Sequence, residues 1–240
     1  MLKKLKQYSH RLMAPLHRKE AIRQIRQMEK KLISPKTRFA IPFVFRGKGL
    51  FRRIEPRQNP FEIESLYDRV AELKPQRVLE IGTARGGTLY LWMQAASADA
   101  ELASVDLPDG DFGGAYPLAR VPFYQAFPRP NQKLTLLRTD SHLPETLDKV
   151  KACFSAPVID FAFIDGDHTY EGVKQDFETY APLVRKGGLV AFHDILPRPA
   201  ESGIKVDQFW NEIKNNYEYE EFIGSPETGR AIGIGLLRIK

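Results

Sequence analysis

Short apolar segments alternate with helical segments over most of this chain, and this alternation limits the possible folds more than any other feature of the sequence. From residue 61 onward, each apolar stretch is followed by a segment with helical spacing of its apolar residues. The predicted strands are 77–82, 102–106, 134–138, 159–164, 188–193, 218–223 and 231–238, and the predicted helices are 61–73, 86–97, 143–153, 170–183 and 205–216. Strands this apolar are typical of a parallel sheet covered by helices on both faces. The sequence therefore predicts a doubly wound α/β fold.

The last two predicted strands are close enough along the chain to form a hairpin. Residues 224–229 between them contain two glycines and a proline, which is typical of a turn. We therefore expect a Rossmann-like sheet of seven strands, mostly parallel, with an antiparallel last strand. In such sheets, ligands bind beyond the carboxyl ends of the strands, where the strand order reverses. Functional residues are therefore expected directly after strands.

Positive charge is concentrated at the start of the chain. Residues 1–60 hold 17 Lys and Arg but only three acidic residues, a net charge of +14, whereas residues 61–240 have a net charge of −8. Apolar residues at helical spacing predict a basic amphipathic helix or helix pair over 2–33, with Pro15 as a break. Four prolines predict an irregular connector over 34–60. We therefore divide the chain into a basic, partly helical N-terminal arm with its connector (1–60) and a single domain (61–240).

This charge suggests an anionic partner for the arm. One interpretation is contact with an anionic membrane surface, because each nearby base contributes about 1 kcal/mol to such binding. In the other interpretation, the apolar stripe of the arm packs on the body of the chain or on a second subunit, which would give a homo-oligomer. No zinc finger, RNP motif or clear helix-turn-helix accompanies the charge. A nucleic acid partner is therefore not expected.

Composition and hydropathy exclude several classes of protein. The single cysteine, Cys153, excludes an intramolecular disulfide framework and a cysteine-built metal site. No apolar run approaches the roughly 20 residues that cross a bilayer, and no signal-type apolar stretch follows the basic start. We expect a cytoplasmic protein whose arm allows peripheral contact with the inner face of the membrane.

A glycine-rich loop follows the first predicted strand, with the sequence Glu80-Ile-Gly82-Thr83-Ala-Arg-Gly86-Gly87-Thr88. Glycines let the backbone turn tightly and let a ligand approach the amide groups. The spacing differs from the G-x-G-x-x-G pattern of dinucleotide-binding folds. Asp106 ends the second strand, where an acid can accept hydrogen bonds from ribose hydroxyls. Asp140 and Ser141 close the third strand, where an adenine would lie. These positions favour a nucleoside-type cofactor over a plain strand-to-helix turn.

Acidic and histidine side chains follow the fourth and fifth predicted strands. Asp165, Asp167 and His168 follow the fourth strand, and His193 and Asp194 follow the fifth. These strands are expected to be near neighbours, so the five side chains converge above the sheet. Carboxylates this close repel one another unless a proton or a cation compensates them. A divalent metal, Mg²⁺ or Mn²⁺, is the simplest compensation; in the alternative, Asp165 and Asp194 cap loops and His168 packs locally.

The Glu-x-Gly-x-x-x-Gly loop resembles motif I of the class I S-adenosylmethionine (SAM)-dependent methyltransferases, and the resemblance covers residues 60–240. In that family the loop lies against the methionine part of SAM, and the acid at the position of Asp106 holds the ribose. The resemblance therefore implies SAM as the cofactor. The expected cofactor-binding residues are Glu80, Gly82, Thr83, Gly86, Gly87, Thr88, Asp106, Asp140, Ser141 and Asp165.

Two further blocks resemble the metal-dependent O-methyltransferase branch, and within it the cephalosporin-hydroxylase-like and macrolide-sugar O-methyltransferase groups. They are Ile164-Asp-Gly-Asp-His-x-Tyr-Glu171 and, after Arg185-Lys-Gly-Gly188, Phe192-His-Asp194. The resemblance implies that Asp165, His193 and Asp194 bind the metal. His193 departs from the family, which usually carries an acid there. An imidazole would favour Mn²⁺, Fe²⁺ or Zn²⁺. In the alternative, His193 would contact the residues that bind the metal and would not bind it itself.

The resemblance leaves two candidates for the base that deprotonates the acceptor. The sugar-modifying relatives use the acid at the position of Asp167, whereas catechol-type relatives carry a lysine at the position of His168. We expect SAM-dependent O-methylation of a sugar, a glycosylated precursor or another small molecule. One alternative is a metal-dependent oxidoreductase or hydroxylase with a triad of His168, His193 and one Asp. The other is a non-catalytic nucleoside-binding module tethered by the basic arm.

Two segments after the second strand are candidates for a substrate lid. They are residues 107–116 of the loop over 107–118 and the segment 117–131, with Phe123, Tyr124 and Phe127. Within them, Arg120 and Arg129 are either contacts for an acidic or phosphorylated substrate or ordinary surface arginines.

Overall fold

A seven-stranded sheet forms the centre of the protein, with strand order β3-β2-β1-β4-β5-β7-β6. The computed structural model describes residues 2–108, 116–225, 227 and 229–240, with side chains from residue 13 onward. The strands are β1 (Arg77–Ile81), β2 (Glu101–Val105), β3 (Lys133–Leu137), β4 (Ile159–Ile164), β5 (Val184–His193), β6 (Glu218–Phe222) and β7 (Ile234–Arg238). β7 pairs antiparallel with both β5 and β6, and the pairings from β3 to β5 are parallel. The predicted fold class is confirmed.

Helices cover both faces of the sheet. They are α1 (Leu2–Lys31), α2 (Pro35–Arg38), α3 (Ile41–Val44), α4 (Pro60–Leu73), α5 (Gly87–Ala95), α6 (Val121–Tyr124), α7 (Pro144–Ala152), α8 (Tyr170–Tyr180) and α9 (Val206–Ile213). On β1, Val78 packs in the apolar layer shared with α4 and α5, whereas Leu79 packs in the layer shared with α8 and α9. This division follows from strand geometry, in which successive side chains point to opposite faces.

The N-terminal helix is continuous through Pro15, so the predicted break is wrong. A proline inside a helix removes one backbone hydrogen bond, and packing of the following turns on the body compensates for that loss. Ala21 and Ile25 are buried in the same core as α4 and α5. Arg26 adds hydrogen bonds to the carbonyl oxygens of Ala126 and Pro128. The second half of α1 therefore lies on the body of its own chain, as one of the two interpretations expected.

The connector is more regular than predicted. It contains α2, α3 and a 3₁₀ turn at Gly49–Phe51, and its apolar side chains are buried in the core: Phe39, Ile41, Phe45, Phe51 and Ile54. Pro35 and Pro42 lie in the first turns of α2 and α3. Proline is tolerated there because a backbone N–H in the first turn of a helix has no partner within the helix. The division of the chain at residue 60 stays a prediction, although the connector contributes to the same core as the body.

The predicted lid is described only in part. Residues 109–115 of the loop over 107–118 lie outside the described residues. In the segment 117–131, Phe123, Tyr124 and Phe127 are buried and stack on one another in the core, so they do not cover the cavity described below. Within the described part of the chain, no helix is long and apolar enough to cross a membrane.

Candidate active site

A cavity of about 840 Å³ opens at the carboxyl ends of the parallel strands. Its walls come from the segments that follow β1, β2, β3, β4 and β5, together with residues 53–58 of the connector. The position is where the strand order reverses between β1 and β4, as the fold predicts. The cavity therefore collects side chains from both sequence blocks that were singled out.

The glycine loop after β1 is pressed against the end of β4. Gly82 has a φ of +96°, and a Cβ atom there would lie 2.0 Å from the carbonyl oxygen of Asp165. A glycine is therefore required at this position. Ala84 also has a positive φ, +42°, and its N–H donates to Oδ2 of Asp106 at 2.6 Å. Gly82, Ala84 and Asp106 all line the cavity, so Asp106 both fixes the loop and faces the ligand space.

The other predicted residues of this loop lie outside the cavity, where they let the loop pack on its neighbours. Gly86 and Gly87 are required by packing, because a Cβ at Gly86 would lie 2.6 Å from the ring of Tyr124 and one at Gly87 would lie 2.2 Å from the carbonyl oxygen of Ile54. Neither glycine lines the cavity, and neither does Thr88. Their contribution to cofactor binding stays a prediction.

Glu80 lies beneath the loop and outside the cavity lining. Its Oε2 accepts from the Ser104 hydroxyl at 2.7 Å, and that hydroxyl lies 2.5 Å from Oγ1 of Thr83. Burial raises the pKa of Glu80 to about 8, so this carboxyl is mostly protonated at neutral pH. Glu80 and Thr83 therefore hold the loop in place from inside the sheet.

The turn after β3 brings Asp140, Ser141 and His142 to the cavity. Oδ1 of Asp140 accepts from the N–H of His142 at 2.9 Å. The His142 ring lies 3.3 Å from Oδ1 of Asp176, which is buried on α8. The hydrogen bond to Asp176 raises the pKa of His142 to about 9, against the effect of partial burial. The sequence singled out Asp140 and Ser141 but missed His142, because its partner is 34 residues away.

The predicted carboxylate–histidine cluster is brought together at the ends of β4 and β5. Nδ1 of His193 lies 3.0 Å from Oδ1 of Asp165 and 3.0 Å from Oδ2 of Asp194. Nδ1 of His168 lies 2.9 Å from the same Asp194 oxygen. Arg198, which was not predicted, donates to Oδ1 of Asp194 from Nε at 2.9 Å and from Nη2 at 2.5 Å. The two carboxylates are therefore compensated by one arginine and two imidazoles.

The charges of this cluster shift the titration of its members. Burial alone would lower the pKa of His193, but Asp165 and Asp194 outweigh it and raise that pKa to about 10. The pKa of His168 is also raised, because its bond to Asp194 and the charge of Asp165 outweigh burial. Burial acts to raise the pKa of Asp194, and hydrogen bonds from His168 and His193 lower it well below its usual range. The cluster therefore favours the charged forms of its two histidines and of Asp194.

The structure gives the two histidines of the cluster different surroundings. Asp165, His168 and Asp194 each offer a ligand atom, and these atoms lie within 4.8 Å of one another. His193, the residue that the resemblance implies as a ligand, directs Nδ1 at the two carboxylates, and its Nε2 is buried without a hydrogen-bond partner among the described residues. The predicted ligand set of Asp165, His193 and Asp194 stays a prediction.

Asp167 lies at the start of α8 and lines the cavity. Its Oδ1 accepts from the N–H of Thr169 at 2.8 Å, and the absence of a side chain at Gly172 makes room for the carboxylate, because a Cβ there would lie 2.1 Å from its Cγ. Thr169 in turn caps the helix by accepting from the N–H of Gly172. The two candidate bases, Asp167 and His168, thus have different surroundings.

The connector contributes residues that sequence reasoning missed. Nε2 of Gln58 donates to Oδ2 of Asp165 at 2.7 Å, and Arg53, Glu55 and Arg57 also line the cavity. By contrast, Arg129 donates to the carbonyl oxygens of Ala96 and Ser97, so it fixes backbone and is not available to a substrate. No local pattern links residue 58 with residue 165, and only the fold brings them together.

The model of a methyltransferase domain family matches residues 79–195. These residues include the glycine loop after β1 and the cluster that ends at Asp194. Over these residues the chain is similar to a methyltransferase domain. That similarity favours a methyl-transferring enzyme over the oxidoreductase and non-catalytic alternatives.

Curated and solved relatives add to this finding. The chain is 29% identical over 175 residues to the uncharacterised protein y4gI of Sinorhizobium fredii; the match covers 70% of this chain and 19% of the relative, so the chain spans about a fifth of that protein. A solved structure from Klebsiella pneumoniae, provisionally named an O-methyltransferase, is 17% identical with a TM-score of 0.57, covering 89% of this chain and 99% of the other. The O-methyltransferase from Bacillus cereus in complex with S-adenosylhomocysteine (SAH) is 16% identical with a TM-score of 0.52, covering 73% and 79%. At these identities the structural likeness shows the fold.

Proposed function

We propose that this protein transfers the methyl group of SAM to a hydroxyl oxygen of a sugar, a glycosylated precursor or another small molecule. The observation that carries the proposal is that a single cavity is lined both by the glycine loop with Asp106 and by the cluster of Asp165, His168 and Asp194. A methyl donor held by the loop would lie beside groups suited to binding and deprotonating a hydroxyl. The SAH-bound relative from Bacillus cereus, an O-methyltransferase, supports the same chemistry.

The charge of the cavity supports SAM as the donor. SAM carries a sulfonium, an ammonium and a carboxylate at neutral pH, so its net charge is positive. The acidic residues that line the cavity are Glu55, Asp106, Asp140, Asp165, Asp167 and Asp194. Gly82 would lie against the methionine part, Asp106 would accept the ribose hydroxyls, and Asp140 and Ser141 would lie near the adenine.

We also propose a divalent cation held by Asp165, His168 and Asp194. The donor set fits such an ion, because the ligand atoms converge and combine carboxylate oxygens with an imidazole nitrogen. This combination suits Mn²⁺ as well as Mg²⁺. Nδ1 of His193 would orient both carboxylates from behind, and Gln58 would orient Asp165. When bound, the cation would lower the pKa of an adjacent acceptor hydroxyl.

Asp167 is the proton acceptor in this proposal, since His168 serves as a ligand. The N–H of Thr169 fixes the Asp167 carboxylate at the cavity wall. The hydroxyl proton passes to Asp167, the oxygen forms a bond to the methyl carbon, and the carbon–sulfur bond breaks to leave neutral SAH. The protein's main contribution is to hold the oxygen, the methyl carbon and the sulfur in line.

The test combines SAH calorimetry with transfer of labelled methyl from SAM to sugar-nucleotide pools and cell extract, followed by mass spectrometry of the product. Asp167→Asn is expected to lower product formation at least about 100-fold and to change SAH affinity less than about twofold. The matched control is Asp148→Asn, an exposed acid on α7, which should leave both unchanged. A wild-type chain that binds NAD or 2-oxoglutarate but not SAH would refute the proposed donor. Full turnover after EDTA treatment and metal removal would refute the cation.

A further inference from the structure

A second pocket, of about 260 Å³, adjoins the cavity. Arg53 and Arg85 line both, so the two spaces are neighbours. Arg52 and Arg120 complete a set of four arginines around the smaller pocket. None of the lining residues that the structure describes there is acidic, whereas six carboxylates line the main cavity. The smaller pocket is thus the more basic of the two neighbouring spaces.

Hydrogen bonds hold the backbone that carries the arginines of this pocket. Arg120 is buried and donates to the carbonyl oxygen of Leu50 at 2.9 Å and to that of Arg53 at 2.6 Å. These bonds fix the 3₁₀ turn Gly49–Phe51 and the backbone of Arg52 and Arg53, which follow it. On the other side, Arg85 follows Ala84, whose carbonyl oxygen accepts from the Tyr124 hydroxyl at 3.0 Å.

The arginines of this pocket differ in whether they already form an ion pair with an acidic side chain. Arg53 lies 3.6 Å from Glu55. Arg52 and Arg85 are exposed and make no ion pair with the side chains that the structure describes. Several guanidinium groups that face one space repel one another unless an anion lies between them. The planar fork of arginine matches a phosphate or carboxylate with two hydrogen bonds.

We propose that this pocket is an anion subsite that binds a phosphate or diphosphate carried by the methyl acceptor, so that the acceptor's hydroxyl extends to the cluster in the main cavity. The inference rests on the proposed function and narrows its acceptor to phosphorylated molecules. The positively charged donor SAM gains nothing from four arginines, and its single carboxylate would compensate only one of them. A phosphorylated acceptor supplies the charge that SAM does not.

The first test uses calorimetry with inorganic pyrophosphate and, separately, with SAH, in buffer containing 150 mM salt. Arg52→Gln/Arg85→Gln is expected to weaken pyrophosphate binding at least about tenfold, because two charge-assisted contacts are lost. Its SAH affinity should stay within about twofold of the wild type, since SAH does not occupy the subsite. The matched control is Lys149→Gln/Lys186→Gln, which removes two exposed charges away from both pockets.

Three results would overturn the subsite. They are absence of pyrophosphate binding to the wild type, an equal loss in the lysine control, and a tenfold loss of SAH affinity with unchanged pyrophosphate binding. The last would assign the arginines to the carboxylate of the cofactor. A wild type that binds pyrophosphate but not SAH would refute the proposed function and leave the anion site standing.

A second measurement identifies the source of the anion. Labelled methyl transfer is compared between an extract and the same extract treated with nucleotide pyrophosphatase and alkaline phosphatase, which together remove diphosphate and phosphate groups. The subsite predicts that treatment removes the labelled product and that Arg52→Gln/Arg85→Gln raises the KM for the untreated pool at least about tenfold with little change in kcat. Equal labelling in both extracts would show that the acceptor carries no phosphate and would overturn the proposal.

Discussion

Ala84 and Asp194 adopt left-handed backbone conformations, with φ of +42° and +63°. Such conformations cost a non-glycine residue on the order of 1–2 kcal/mol. At Ala84 the turn directs an N–H to Asp106, and at Asp194 it directs a carboxylate to Arg198 and His168. Charge-assisted hydrogen bonds at both positions offset the strain, and these two residues shape the glycine loop and the cluster.

Asp106→Asn is predicted to separate cofactor binding from folding. The amide oxygen can still accept from the N–H of Ala84, so the melting temperature should change by less than about 3 °C. The lost negative charge should weaken SAM binding at least about tenfold, because hydrogen bonds to charged acceptors contribute more than those to neutral ones. Calorimetry with SAM measures the effect. If Asp106→Asn binds SAM as well as the Asp148→Asn control does, Asp106 does not hold the ribose.

His142→Gln is predicted to flatten the pH dependence of stability. The pKa of His142 is raised from 6.5 to about 9, so its contribution to stability is fully present below about pH 6.5 and is lost as the pH rises through about 9. Because the ring is partly solvated, we expect a contribution of about 1–2 kcal/mol. Melting temperatures of both proteins between pH 6 and 9.5 provide the test. The raised pKa of Glu80 affects both proteins, so only the difference between them reports on His142; parallel curves would contradict the pairing with Asp176.

The residues of the site were predictable where they follow strands and unpredictable where contacts are distant. Asp106, Asp140 and Asp165 line the cavity because each follows a parallel strand at its carboxyl end. The different directions of the His168 and His193 rings could not be predicted, because ring orientation is set by the surrounding packing. Gln58 carries no sequence signal at all, since its partner is 107 residues away.

At the scale of elements, strands and helices of the body followed from the pattern of apolar residues, whereas the connector did not. β4 was predicted at its observed bounds, because its apolar run is continuous and ends at an acid. The buried aromatic residues of the connector have no regular period, and their helices are a single turn long. Contacts with other parts of the fold stabilise them, such as those of Phe39 with Tyr67 on α4 and of Phe45 with Phe123 on α6. Such contacts cannot be inferred from local sequence.

Gly87→Ala is predicted to destabilise the start of α5 by about 3 kcal/mol or more, because the new methyl group would overlap the backbone of Ile54. Helix propensity alone would favour alanine there by about 1 kcal/mol, so the sign of the change distinguishes the two effects. The comparison variant is Gly203→Ala, which has open space around it and a φ of +70°, and should cost only about 1 kcal/mol. Urea unfolding measures both, and a Gly87→Ala protein as stable as the wild type would contradict the packing of the connector.

At the scale of the whole molecule, the second half of the arm packs on the body, and two apolar side chains near the middle of its helix are exposed. Ala21 and Ile25 are buried against the body, whereas Met13 and Leu16 are 42% and 58% exposed. The stretch 1–12 adds four bases. The predicted contact with an anionic membrane surface therefore depends on the first turns of the helix.

Deletion of residues 1–12 is predicted to reduce binding to vesicles containing phosphatidylserine at least about tenfold, because each base near the surface contributes about 1 kcal/mol. Cosedimentation measures the binding, and neutral phosphatidylcholine vesicles are the control. Circular dichroism should show an unchanged fold, since the packed half of the arm is retained. Equal binding by the full-length and shortened chains would remove the membrane from the list of partners.

The hydrogen bond between Gln58 and Asp165 links the connector, which follows the arm's helix, to the carboxylate–histidine cluster. A partner that pulled the connector off the body would release one oxygen of Asp165 and open the wall that residues 53–58 provide. Such a partner would therefore change the surroundings of Asp165 from outside the cavity.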